Sequence, residues 1–120
     1  MRRLAALLLT CALMTAAVPL GAHHSTAMYT GSRTITGKVV KFEWTNPHAH
    51  VYVETKDEKG ATVTWDCELM SLNHLRSYGW TAKTLKIGDE ITATGMYARS
   101  GEPAMIANRI TLGDGREIAS

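Results

Sequence analysis

The sequence is poor in several features that would assign it to a large class. In 120 residues it holds one phenylalanine, three prolines and two cysteines. One of those cysteines, Cys11, falls in an N-terminal stretch, Met1 to Ala22, that has no acidic residue and no histidine. Without that stretch Cys67 stands alone, which excludes a disulfide-stapled scaffold and leaves the fold to its apolar core. Beyond Ala22 no apolar run approaches the roughly 18 residues that a membrane-spanning helix needs. An excess of positive charge is missing too. The formal net charge is +2, and Arg2 and Arg3 account for it, so the remainder is neutral. A neutral domain lacks the electrostatic footprint of a non-specific nucleic-acid binder, so no nucleic-acid partner is expected. With 45% hydrophobic and 20% charged residues, the composition is that of one globular domain rather than a disordered chain.

What is present begins with an address. Arg2-Arg3, the apolar run Leu4 to Leu20 and the small residues Gly21-Ala22 are the three parts of a secretory signal peptide, expected over residues 1–22. Cleavage after Ala22, with Gly21 as the neighbouring choice, leaves 98 of the 120 residues in a periplasmic or secreted protein. Lipidation at Cys11 is disfavoured, because Thr10 stands where lipoprotein signals carry Gly, Ala or Ser. The arginine pair lacks the flanking residues of a twin-Arg signal.

Residues His23 to Arg33 show no period and read as an extended N-terminal arm, followed by one domain over 34–120. Thr34 to Trp44 is strand-like, with a slip in its alternation. Ile35, Gly37 and Val39 share one parity, and Val40, Phe42 and Trp44 the other. A β-bulge near Val39-Val40 would put both sets on one face. Asn46-Pro47 stops this strand. A second runs from about Ala49 to Lys56, and a turn at Asp57-Glu58-Lys59-Gly60 leads to a third, Ala61 to Met70. There Val63, Trp65, Cys67 and Leu69 face one way, which predicts a buried Cys67. Ser71 is a good N-cap for a short helix, Leu72 to Tyr78, closed by Gly79. Strands over Glu90 to Ala98 and Met105 to Leu112 follow, then a turn at Asp114-Gly115 and a polar tail. This order predicts an all-β fold with one short helix: a five-stranded OB-type barrel whose helix lies between strands 3 and 4. An open β-sandwich is the alternative.

Several motifs occur together: His23-His24-Ser25 after the signal, Phe42-Glu43-Trp44 with Asn46-Pro47-His48-Ala49, Gly79-Trp80, and Leu85-Lys86-Ile87-Gly88-Asp89. The combination resembles a family of small exported bacterial proteins known only as a domain of unknown function. The resemblance spans nearly all of the mature chain. It implies an exported OB-like domain and brings no catalytic residue with it.

Four of the five histidines form two clusters, His23-His24 and His48-x-His50. On a strand His48, His50, Tyr52 and Glu54 lie opposite Val51 and Val53, away from the core. Two pairings with strand 3 keep this parity. One sets His50 across from Asp66 and His48 across from Glu68; the other, shifted by two residues, sets His50 across from Glu68. Both put imidazoles beside carboxylates on the outer face of strands 2 and 3, the usual ligand platform of OB folds. The candidate metal ligands are therefore His23, His24, His48, His50, Asp66 and Glu68. Copper suits them best, ahead of zinc or nickel. A terminal His23 could chelate through its amine and imidazole as a histidine brace does. With His24 third in the mature chain, amine, two amides and imidazole give a square-planar set.

Other readings remain beside this one. The histidines and acids can be hydrogen-bonded pairs on a solvated strand. The outer barrel face can receive an envelope protein or peptide, and Trp44, Trp65, Trp80 and Tyr52 can line a groove for a flat organic ligand or peptide, although Trp44 and Trp65 stand at core parity. His74 reads as a surface residue. Met28, Met70, Met96 and Met105 lack clustered spacing and read as filling. No serine lies in a nucleophile elbow and Cys67 points to the core, so a non-catalytic protein is expected. A small copper-dependent oxidative enzyme is the remaining catalytic alternative.

Overall fold

The phase slip in the first strand decides how the sheet curves. A computed structural model describes residues 26–120; the expected signal peptide and His23 and His24 lie outside the described residues. A short 3-10 turn, Thr26–Met28, leads into β1, Tyr29–Glu43, followed by β2, His50–Lys56, and β3, Thr62–Glu68. Helix α1, Leu72–Ser77, precedes β4, Glu90–Ala98, β5, Ala104–Thr111, and β6, Glu117–Ala119.

In β1, Ile35 and Val39 face inward, and the register against β2 then jumps: Val39 is opposite Val53, yet Lys41 is opposite Tyr52. Val40 is the extra residue and points outward, while Phe42 and Trp44 pack against the core. This is the expected bulge. The bend brings β1 hard against β2, where a Cβ on Gly37 would lie 2.1 Å from the Glu54 carbonyl oxygen. β1 starts at Tyr29, five residues before the strand start expected at Thr34. Its N-terminal half pairs with β4 from Tyr29↔Ala98 to Lys38↔Glu90, and backbone pairing needs no alternating side chains.

Antiparallel β2–β3 and β4–β5 ladders flank β1, and a short parallel pairing joins β3 to β5 through Asp66↔Ala104, Cys67↔Met105 and Glu68↔Ile106. The strands thus follow a ring, β1-β2-β3-β5-β4, back to β1. The five strands and the helix stand in the order read from the sequence. The polar tail is the exception. Its residues Glu117–Ala119 form β6 against Arg109–Thr111, and the Trp80 indole N–H donates to the Ala119 carbonyl at 2.8 Å. Three residues are too few to show a period.

Inside the ring lie Val51, Val53, Cys67, Ile91, Met105 and Ile110, none more than 2% exposed. Leu72 and Leu75 of α1 close this core together with Trp80. The Ser71 hydroxyl accepts from the His74 amide at 3.4 Å and caps the helix, as its sequence position predicts. Among the described residues no helix is long and apolar enough to cross a membrane.

Candidate functional site

The two histidine–carboxylate pairs are built by the end of the β2–β3 ladder. The observed register sets His50 opposite Glu68, Val51 opposite Cys67 and Tyr52 opposite Asp66. That is the shifted alternative of the two pairings. Pairing runs past the strand ends, with the Ala49 amide donating to the Met70 carbonyl and the Leu69 amide to the Ala49 carbonyl. Buried Ala49 therefore anchors exposed His48 beside β3.

The side chains then reach across diagonally. His48 Nδ1 lies 2.5 Å from Glu68 Oε1, and His50 Nδ1 lies 2.7 Å from Asp66 Oδ1. These are the partners that the other register would have matched by direct opposition. Diagonal neighbours on an antiparallel sheet are within reach of long side chains, so the two patterns coexist. Burial is asymmetric. The His48 side chain is 47% exposed over a Glu68 side chain that is 9% exposed, while His50, at 23%, meets a more open Asp66.

In both pairs the imidazole Nδ1–H faces a carboxylate acceptor. In the neutral ring this leaves the lone pair on Nε2, the tautomer that a metal-binding histidine adopts when a carboxylate holds its other nitrogen. Two such rings, two residues apart on one face, form the strongest chemical feature of the surface. Tyr52 continues the row. It stacks on His50 at 6.3 Å with rings 22° apart, and the Lys41 ammonium sits 5.2 Å from its ring centre. Lys41 also contacts Glu43 at 2.6 Å. That hydrogen bond holds the Lys41 ammonium above, and the Glu43 carboxyl below, their ordinary pKa values.

Beside His50 lies a cavity of about 220 Å³, bounded by the 3-10 turn, β3, the end of β4 and the β4–β5 turn. Asp66 and Glu68 reach it from β3 and Glu102 from the turn, whose Pro103 carbonyl accepts from the Asp66 amide at 2.9 Å. Tyr29 forms part of the wall. Burial raises its phenol above the ordinary value, and the charges of Glu68, Asp66 and Glu102 raise it further. Sequence reasoning missed Glu102 and Tyr29. They join the site only through the parallel β3–β5 pairing, which no local pattern announces.

The remaining sequence candidates divide. Asp66 and Glu68 meet His48 and His50 as described, and His23 and His24 lie outside the described residues. His74 is exposed on α1, its Nδ1 3.2 Å from the Ser71 hydroxyl, and is remote in role from the pairs. Cys67 is wholly buried, and burial pushes its thiol up to about 12. Trp65 and Trp80 are core residues and Trp44 is half-buried, which removes much of the aromatic groove. Among the described residues no three His, Cys, Asp or Glu side chains converge as the ligands of one metal ion do.

The family of unknown function DUF6152 matches residues 11–107. The chain belongs to this family. The DUF6152 match takes in both histidine–carboxylate pairs and Glu102, and it ends before β6. No curated protein matches the chain. Among solved structures, a small single-stranded DNA-binding protein from Streptomyces coelicolor is similar at 15% identity and a TM-score of 0.45, over 72% of this chain and 94% of that one.

Proposed function

We propose that this DUF6152 protein is an exported, non-catalytic binding domain of OB type that holds a transition-metal ion, copper first, on the histidine face of β2. The observation that carries the reading is the pair of imidazoles with Nδ1 held by Glu68 and Asp66, which orients both Nε2 atoms as donors. The strand ring and the helix between β3 and β4 support the OB assignment, and the outer surface of β2 and β3 is where such folds bind ligands. The basic start and apolar run of residues 1–22 support export to the periplasm or beyond.

Two imidazoles are half of a tetrahedral or square set. The rest is assigned to His23 and His24. The 3-10 turn is fastened to the end of β4, where the Arg99 amide donates to the Met28 carbonyl and Arg99 Nε to the Ala27 carbonyl. Met28 borders the cavity that His50 also lines. In the chain, His23 and His24 stand five and four residues before Met28. Nitrogen-rich sets rank copper above nickel and zinc.

Native mass spectrometry of the exported protein, before and after one equivalent of Cu(II), tests this. The expected result is a mature mass beginning at His23 and one retained copper. A clean mature mass with no retained metal would overturn the reading. It would leave the row His50–Tyr52–Lys41 as a surface for an envelope protein.

A further inference from the structure

β1 is longer than either strand beside it, and for part of its length it has a neighbour on one side only. It pairs with β4 over residues 29–38 but with β2 only from Lys38 onward, so over residues 33–37 the edge towards β2 carries no strand. Backbone groups alternate in direction along an antiparallel strand. Val39 faces the β4 side, its amide donating to the Asp89 carbonyl at 2.8 Å and its carbonyl accepting from the Gly88 amide at 2.7 Å. Lys38, Thr36 and Thr34 therefore turn their N–H and C=O groups the other way. Lys38 meets Glu54 of β2 there. Thr34 and Thr36 meet a groove of about 560 Å³ between β1 and the β2–β3 turn. Such an edge is a template for another strand.

The groove also has an apolar floor and a fixed charge. Ile35, Val63 and Trp65 line it. Arg33 borders it with its guanidinium carbon 4.7 Å from the Tyr97 ring centre and 5.5 Å from that of Trp65. Stacking of this kind sets the plane of the guanidinium while its N–H edge stays available to a carboxylate. Among the described residues Arg33 enters no ion pair. Of the two acids beside the groove, Asp57 accepts from the Lys59 and Ala61 amides of its own turn, each at 2.9 Å, and Glu58 is exposed on that turn. Arg33 and Ile35 stand two residues apart and share a face of β1. We infer that an extended acidic peptide binds here by strand addition, antiparallel to β1. Its backbone pairs with Thr34 and Thr36, a carboxylate side chain meets Arg33, and an apolar side chain two residues before it packs on Ile35, Val63 and Trp65. The groove lies at the opposite end of β2 from His50, so this inference does not rest on the copper reading.

Amide NMR of the mature, metal-free protein, titrated with the peptide acetyl-Thr-Val-Thr-Glu-Thr-Val-Thr-amide, tests the inference. Saturable shifts over residues 33–37 and 55–58 are expected, with slowed hydrogen exchange at the Thr34 and Thr36 amides. Replacing the peptide's glutamate by glutamine weakens binding about tenfold through loss of one charge-assisted contact. Arg33→Gln erases that difference between the two peptides. N-methylation of the two threonines that flank the glutamate removes the backbone donors and abolishes binding. The peptide variants leave the protein unaltered, so their outcome does not depend on how Arg33→Gln folds. No saturation, equal binding of the glutamate and glutamine peptides, or undiminished binding of the N-methylated peptide would overturn the proposal. Self-association of the protein through residues 33–37, with no peptide bound, would overturn it in favour of a second copy of this chain.

Discussion

Cys67 lies at the centre of the ring with no exposed surface, and burial keeps its thiol protonated far above neutral pH. Only the thiolate is an effective nucleophile, so a thiol pushed up to about 12 behind a closed core is inert. A disulfide reagent such as Ellman's is expected to leave the native protein unmodified and to titrate one thiol per mature chain once guanidinium unfolds it. Rapid modification of the native protein would contradict the buried placement. This residue was legible in the sequence, because Val63, Trp65, Cys67 and Leu69 share a parity. Glu102 was not, since nothing near it in the chain marks a polar turn residue as part of a cavity wall.

Among the elements, β1 shows both what local pattern reveals and where it stops. The bulge was visible as the slip between Val39 and Val40, because a strand that must bury Ile35 and Phe42 on one side has to absorb an extra residue. The tight approach at Gly37 was not visible, for it depends on the Glu54 carbonyl of another strand. Gly37→Ala is expected to cost roughly 1–3 kcal/mol or more, since the added methyl meets backbone that cannot swing aside. Gly113→Ala, whose Cβ would rest 3.4 Å from the Glu90 carbonyl oxygen, is expected to be nearly neutral. Urea midpoints of the two variants check the contrast; equal midpoints would contradict the close packing of β1 on β2. The β2–β3 register was narrowed but not chosen by the sequence. Pairings two residues apart keep every side chain on its face, and only the three-dimensional ladder separates them. The diagonal reach of His48 and His50 then restored the partners of the rejected register. Strand β6 escaped notice because three residues, Glu117–Ala119, are too few to show an alternation.

In the molecule as a whole, a small ring of strands carries one chemically marked face. The order of the elements followed from counting strands, and a ring of them was expected since a chain this short has few ways to hide its strand edges. The face followed from the parity of His48 and His50. The central proposal is that these two imidazoles bind a metal together, each oriented by its carboxylate. Pulsed electron paramagnetic resonance of the mature protein loaded with one Cu(II) counts coordinated imidazoles through the modulation from their remote nitrogens. At least two imidazoles are expected, one of them lost in His48→Ala and one in His50→Ala, with copper affinity about tenfold or more weaker in Glu68→Gln. A copper spectrum and imidazole count unchanged by both histidine substitutions would contradict it.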